Sequence, residues 1–387
     1  MRSIVRASFL IIGLLINSCS RHVGVYGDGE VIPIDFDNYE QLALSDLFSK
    51  IEVIELEGNE KSFLTDPVSL QVNDGKYYLK DHHAVYAFNE DGTFLYNTSI
   101  RRGRAKNEYF SINDYFVVDG NIYILDYNGK ILIYDSDLNI KEIYQIEKNE
   151  AQLFTDFTPL SQDIIALSGI SENAINWSFY SKSKKKIVDT YCLTDIRTGG
   201  YVFGQSRKYI TNDSLVLYRL PDNGTSYCSL NRIDHSVYER FCYDFGKQTF
   251  NSSIVDKSDK ISSYLKEHPK EYVLAMETLL NNNILLTRLG YLEVLKDPRE
   301  GTFRLSFYSL ENGKQRLVNQ FFKDGKWLYN LDYMDDSCIY SCIIDYSYND
   351  FLYEDSLLDD KSRKILKGVN DNTNCLIFKY YFKEGLL

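Results

Sequence analysis

The chain has few of the residues that carry chemistry. Among 387 residues there are five histidines, six prolines and seven cysteines. The histidines are scattered: His22 near the start, His82 and His83 in one turn, His235 in another, and His268 before Pro269. This placement offers no nucleophile with a base, and no Gly-x-Ser-x-Gly, His-Glu-x-x-His or P-loop motif occurs. After Cys19 the cysteines are Cys192, Cys228, Cys242, Cys338, Cys342 and Cys375, irregularly spaced and without a Cys-x-x-Cys pair. Cys338 and Cys342 lie four apart, but no histidine cluster accompanies them as a zinc site would want. Buried strand thiols are the plain expectation, and one disulfide is the alternative in an exported chain. Positive charge is also short. Lys and Arg total 43 against 55 Asp and Glu, a net charge of −12, which excludes a protein built to grip a phosphate backbone. The one basic run, Lys182-Ser183-Lys184-Lys185-Lys186, reads as a solvated hairpin turn. No nucleic acid, cofactor or metal is expected. Asn113 and Asp114 have oxygen chemistry suited to calcium, yet sequence assigns them no ligand role. Asp335-Asp336 and Asp359-Asp360 read as solvated turns.

What the chain does have begins with an address. Arg2 and Arg6 precede an apolar run from Phe9 to Ile16, and Ile16-Asn17-Ser18-Cys19 follows. A basic start, a short apolar core and a small residue before a cut site make a secretory signal. The run is too short for a permanent span, which takes about 20 residues, and no later stretch is long enough either. Ile16, Ser18 and the cysteine directly after them resemble the lipobox of bacterial lipoproteins. That resemblance implies that residues 1–18 are removed and that Cys19 is lipidated. An ordinary signal peptide with a chance cysteine is the competing reading. Each buried methylene contributes about 0.8 kcal/mol, so several acyl chains hold a protein firmly at a membrane. Residues 19–40 then read as a polar tether, and 41–387 as one folded domain.

The body is punctuated by turn dipeptides: Asp74-Gly75, Asp91-Gly92, Asp119-Gly120, Asn128-Gly129, Asn223-Gly224, Asn312-Gly313 and Asp324-Gly325. Flanked by apolar alternation, such pairs are strong hairpin signals. Residues 68–72 and 76–79 flank the first pair, and 84–88 and 93–96 the second, giving four short strands in one β-meander. Comparable units follow at 115–146, 153–192, 208–245 and 272–322. Their spacing of about 40–50 residues is that of propeller blades. A sixth unit has strands at 328–333, 338–346 and 376–382 but needs one more. Residues 51–56 can supply it from the front, closing the ring and removing open edges. Aromatics make up 14% of the chain, led by 32 tyrosines, which suits pleated, half-buried surfaces. The expected fold is therefore an all-β, six-bladed β-propeller. Two segments, 254–270 and 350–369, read as helical insertions packed on one face of the ring.

Between the first and second units lies Gly103-Arg104-Ala105-Lys106-Asn107-Glu108-Tyr109, and before the last strand lies Asp371-Asn372-Thr373-Asn374. Together with the opening strand, these pieces resemble the Bacteroides-type 6-bladed β-propeller lipoproteins. Members of that family carry Gly-x-Gly-Pro-Gly-Glu-Tyr at the link and Asp-Asn-Pro before the closing strand. Gly103, Glu108 and Tyr109 match. Ala105, Lys106 and Asn107 depart from the pattern, and Thr373 stands in place of the proline. The resemblance implies fold and compartment, an outer-membrane lipoprotein facing the periplasm or the cell surface, and hardly any chemistry.

Arg101, Arg102 and Arg104 cluster at that link in an otherwise acidic chain. Arg102, Arg104, Glu108 and Tyr109 are thus the candidate ligand-binding residues, with a carboxylate or sugar acid as ligand. The competing expectation is that the arginines pair with nearby acids and Tyr109 packs between blades. Three functions stay open. The first is a non-enzymatic binding or scaffold lipoprotein with a glycan or envelope-protein partner. The second is a subunit of an envelope complex. The third is a channel-site enzyme, a lactonase, lyase or glycan-acting hydrolase, which requires Asp, Glu, His or Asn converging on the channel from several blades.

Overall fold

The computed structural model describes residues 21–23 and 29–387, apart from 82, 147–152, 172–173, 196–207, 211–214, 220–225, 232–235, 251–262, 265–266, 269, 292–302, 321, 327, 329 and 345–354. The expected signal peptide, Cys19, most of the expected 254–270 helix and the expected Asn223-Gly224 turn lie outside the described residues.

Six antiparallel sheets follow one another around a ring. Blade one consists of Pro67–Asn73, Lys76–Asp81, Ala84–Phe88 and Phe94–Asn97, and blade two of Ile112–Val118, Asn121–Asp126, Lys130–Tyr134 and Ile140–Gln145. Blade three has Leu153–Pro159, Ile164–Ser171, Ala174–Ser181 and Lys186–Asp195. Blade four has Lys208–Ile210, Leu215–Arg219, Ser226–Asn231 and Val237–Asp244. Blade five has Val273–Leu280, Ile284–Tyr291, Arg304–Ser309 and Gln315–Asn319. The first strand of each blade is innermost, and it meets the first strand of a neighbouring blade around the channel. Strands in the middle of a blade are covered on both faces by the flanking blades. Arg304–Ser309 and Cys338–Ile343 are accordingly buried at every position.

Blade six is built from both ends of the chain. Tyr333–Met334, Cys338–Ile343 and Leu376–Phe382 are its inner three strands, and Phe48–Glu55 is the outermost. The closing strand pairs antiparallel with Leu376–Phe382, Val53 opposite Phe378 and Ile51 opposite Tyr380. Its other edge is covered. Ile51 N donates to the Leu357 carbonyl (2.9 Å) and Val53 N to Ser362 Oγ (2.9 Å).

Two sequence expectations are corrected here. The 350–369 segment is helical only over Asp360–Gly368 among the described residues, and it lies against the closing strand at the rim, not on a face of the ring. Leu357 and Leu358, read as part of an apolar helical stripe, instead run beside Ile51. Asp359 is the helix N-cap, accepting Ser362 N at 2.8 Å, and so is more than a solvated turn residue. Asp335 likewise organises its turn, accepting from Ser337 N, Cys338 N and the Tyr340 hydroxyl.

The segment read as a tether is also partly docked. Arg21–Val23 adds a parallel strand to the outer edge of blade three, and Glu30–Pro33 does the same for blade four. Glu40 bridges Val318 on the outer strand of blade five, and Arg316 grips its carboxylate through Nε (2.9 Å) and Nη2 (2.6 Å). The N-terminal chain therefore passes along the rim of blades three, four and five before entering blade six. Alternation causes the docking: in Val31-Ile32-Pro33-Ile34-Asp35-Phe36, residues Ile32, Ile34 and Phe36 are buried, while Val31 is exposed.

Neighbouring blades are tied by polar side chains set among apolar ones. Gln71 donates to the Tyr115 carbonyl (2.9 Å) and accepts Val117 N (3.0 Å), joining blades one and two. Tyr227 and Tyr243 meet Thr278 and Thr287 at 2.7 and 2.8 Å, joining four and five. Asn281 donates to the Asp335 carbonyl (2.9 Å), joining five and six. Nine of the eleven largest fully buried side chains are tyrosines. The tyrosine excess thus serves blade packing. The basic run is a hairpin turn as expected, spanning residues 182–185. Cys228, Cys242, Cys338, Cys342 and Cys375 are free thiols, all buried except Cys242.

Closure generates a prediction at Gly92. Its φ is +90°, and an added Cβ would lie 2.1 Å from the Glu55 carbonyl oxygen of the closing strand. Gly120 also has positive φ (+68°), with nothing within 4 Å of an added Cβ. Gly120→Ala costs only the left-handed backbone, about 1–2 kcal/mol. Gly92→Ala lowers denaturant stability by clearly more, because a backbone atom must move. Equal losses in chemical unfolding would refute the packing of that turn against the closing strand.

A second prediction concerns pH. Backbone N–H groups hold the carboxyls of Asp91, Asp135, Asp163 and Asp359 below the usual carboxylate range, and Arg316 does so for Glu40. The folded values lie below the unfolded ones. Their contribution is therefore fully present above the unfolded range and is lost as pH falls through the folded values. The thermal midpoint should hold steady from neutrality to about pH 5 and drop below about pH 4. A midpoint unchanged to about pH 2 would contradict this.

Candidate functional site

The link between blades one and two, residues 98–111, is held from below by buried groups. Tyr109 is fully buried. Its hydroxyl lies 2.9 Å from the carbonyl oxygens of His83 and Thr98 and 2.9 Å from Thr98 Oγ1. Burial pushes this phenol up to about 12, against a smaller lowering by the Thr98 hydrogen bond. Tyr109 therefore positions the loop and presents nothing to a ligand, as the packing expectation had it. Glu108 also turns inward. Its Oε2 accepts Ala105 N at 2.9 Å, and the carboxylate folds over Gly103, where an added Cβ would lie 2.0 Å from it. This explains why Gly and Glu occur together in the segment. Lys130 Nζ donates to the Glu108 carbonyl, and the Tyr134 hydroxyl donates to the Asn107 carbonyl at 3.1 Å. Phe110 N and Ser111 N donate to Asp126 Oδ1 at 2.7 and 3.0 Å. Arg101 is used internally as well, its Nε donating to the Leu138 carbonyl at 2.8 Å.

Arg102 and Arg104 are exposed on top of this framework. The Arg102 Nε contact to the Phe110 carbonyl is long, 3.5 Å. The Arg104 guanidinium sits 5.9 Å from the centre of the Phe110 ring, within cation–π range. The expected pairing with surface acids does not occur among the described residues. The described ion pairs lie on blades five and six, on the N-terminal rim segment and in the links beside them. Phe110 is 45% exposed, and Tyr127, whose N–H donates to the Ser111 carbonyl, is 52% exposed. These two aromatics were not singled out from the sequence. Residues in a turn carry no period that separates an outward ring from a packed one. The loop surface thus carries two exposed guanidinium groups and the exposed Phe110 ring, with exposed Tyr127 on the adjoining turn, over a backbone pinned at Arg102, Gly103, Ala105 and residues 108–111. Such a surface can bind a planar anion bidentately and stack on an apolar ring face.

The inner strands are engaged in assembly. Asn113 Nδ2 donates to the Phe154 carbonyl (2.7 Å), and Asp114 Oδ2 accepts Phe157 N (3.1 Å), joining blades two and three. Lys80 Nζ donates to the Asn113 carbonyl at 3.0 Å. The oxygen-bearing pair noted in the sequence is therefore a bolt between blades. Asn374, in the segment before the last strand, accepts Leu64 N (2.8 Å) and donates to the Ser62 carbonyl (2.9 Å). It ties the closing sheet to the entry of blade one.

A family model described as "Domain of unknown function (DUF4934)" matches residues 29–381. The crystal structure of a Bacteroides fragilis protein assigned as exported superposes with a TM-score of 0.71 at 14% identity. It covers 92% of this chain and 100% of that one, a likeness of fold. The WD40 domain of Neurospora crassa Pan2 aligns over 80% of this chain and 74% of its own, with a TM-score of 0.38 and 8% identity. No curated protein matches the sequence.

Proposed function

The chain belongs to the family described as a domain of unknown function, DUF4934, and from that premise we propose that it is an exported, lipid-anchored propeller that binds an anionic partner without transforming it. The observation that carries the binding half is the pair of exposed guanidinium groups, Arg102 and Arg104, on a loop that Glu108, Tyr109 and the Phe110 and Ser111 N–H groups hold in place. A rigid scaffold beneath a charged loop is the usual arrangement for recognition. Phe110 beside Arg104, with exposed Tyr127 on the adjoining turn, suits an acidic sugar, whose carboxylate meets a guanidinium while its ring face meets an aromatic. The exported half is supported by the basic, apolar and small-residue pattern ending at Cys19, and by the likeness in fold to an assigned exported protein. Membership of the Bacteroides-type 6-bladed β-propeller lipoproteins is the finer form of the same reading. The enzyme alternative has less support, because Asn113 and Asp114 are occupied between blades.

Calorimetric titration with acidic and neutral oligosaccharides of matched length tests the binding reading. The acidic series should bind. The double variant Arg102→Ala/Arg104→Ala should weaken binding about tenfold or more while leaving the thermal midpoint unchanged. Equal binding of the neutral series, or an affinity untouched by the double substitution, sinks the proposal. For the anchor, radiolabelled palmitate should enter the wild type in a bacterial host and fail to enter Cys19→Ala. Equal incorporation would remove the lipid assignment.

A further inference from the structure

We propose that the rim of blade three at the Lys182–Lys186 turn lies against the membrane and contacts anionic phospholipid headgroups; the inference rests on Cys19 being lipidated. The first observation is the path of the N-terminal chain. Arg21 pairs with Thr190 and Val23 with Cys192 on the outermost strand of blade three. Two peptide links separate Cys19 from Arg21, so the anchored residue stays within about 7 Å of that rim. The anchor therefore does not hang on a free polar leash. It leaves the ring at one particular blade.

The second observation is where that end of the strand points. The pairing is parallel, so the N-terminal end of Arg21–Val23 is the end nearer the turn that starts the outer strand at Lys186. Thr190 follows Lys186 by four residues, about 13 Å along a strand. Val188, 39% exposed, lies between them. The Lys182–Lys186 run thus lies on the rim to which a lipid on Cys19 is tied.

The third observation is the state of the lysines. Lys184, Lys185 and Lys186 are exposed and Lys182 is half-buried. The turn backbone is fixed by Asp163, which accepts Ser183 N at 2.7 Å and the Ser181 hydroxyl at 2.8 Å. Lys184 N donates to Ser181 Oγ at 3.2 Å, and the Lys182 ammonium lies 5.9 Å from the centre of the Tyr144 ring. Asp163 is the acid built into the turn, and none of the four ammonium groups forms an ion pair among the described residues. An acyl anchor combined with a cluster of lysines is the two-signal arrangement that holds proteins at anionic surfaces.

The test is lysine footprinting on the intact, acylated protein. It is reconstituted on vesicles of phosphatidylglycerol and phosphatidylethanolamine, on phosphatidylcholine vesicles, and in detergent. An amine-reactive reagent and mass spectrometry then give the modification rate of each lysine. Lys361, Lys364 and Lys367 serve as the reference, because their helix lies on blade six, across the ring from blade three. On the anionic vesicles Lys184, Lys185 and Lys186 should react about fivefold more slowly than in detergent, the factor that one lysine near such a surface contributes. The reference lysines should be unchanged, and protection should fall on phosphatidylcholine. An N-terminal peptide without the acyl mass would overturn the anchor reading and this orientation with it. An acylated peptide with uniform lysine reactivity would overturn the orientation alone. Equal protection on both vesicle types would overturn headgroup recognition.

Discussion

An open sheet edge is the constraint on which the rest of this molecule depends. Six radial sheets leave six outermost strands, each with a row of backbone groups facing outward. Phe48–Glu55 completes blade six, so the ring is closed by hydrogen bonds between the two ends of the chain. The strand that closes the ring becomes an edge itself, and residues 357–362 cover it. The N-terminal segment covers blades three, four and five in succession. Blade one has a short outer strand, with Glu57 accepting Phe94 N at 2.9 Å. Blade two places exposed Lys141 and Glu142 on its outer strand, a charged edge that discourages pairing. Each blade thus answers the same demand with the chain locally available to it.

Tyrosine has a matching part between the blades. A phenyl ring fills the gap between two sheets, and the hydroxyl then needs a partner out of water. Tyr115 reaches the carbonyl of Tyr78 at 2.8 Å, and Tyr227 and Tyr243 reach threonine hydroxyls on the next blade. Phenylalanine would fill the same space without fixing how far one blade slides on another. A buried hydroxyl left without its partner costs about 1–3 kcal/mol, so each such pair favours a single register. This accounts for the composition better than a ligand surface does.

Legibility followed the physics of each signal. The meanders were readable because Asp-Gly turns and period-two alternation are local, and the observed blades begin within a few residues of the expected units. The closing strand was readable because an incomplete last unit demands a partner. The rim segment was misread because its polar neighbours hid the short alternation at Ile32, Ile34 and Phe36, and because parallel pairing to distant strands leaves no local trace. The 350–369 stripe failed similarly: Leu357 and Leu358 are apolar because they lie along an edge, which spacing alone does not distinguish from a helix face. At the candidate site, Tyr109 is buried and Glu108 is folded over Gly103, so both hold the loop. What a loop residue touches depends on the blade below it, and no short-range pattern encodes that.

Strand direction relates the arginine loop to the lysine turn. In blades one to five the last strand of each meander runs from the hairpin turn that precedes it to the link that leads into the next blade. Links therefore gather on one face of the ring and outer hairpin turns on the other. The 98–111 loop is a link, following Phe94–Asn97, whereas residues 182–185 are an outer turn, preceding Lys186–Asp195. They lie on opposite faces. A ring held to a bilayer by the rim and turn of blade three would thus present Arg102, Arg104, Phe110 and Tyr127 away from the lipid. An anionic ligand would then approach through water, clear of the negative membrane surface that the lysines meet.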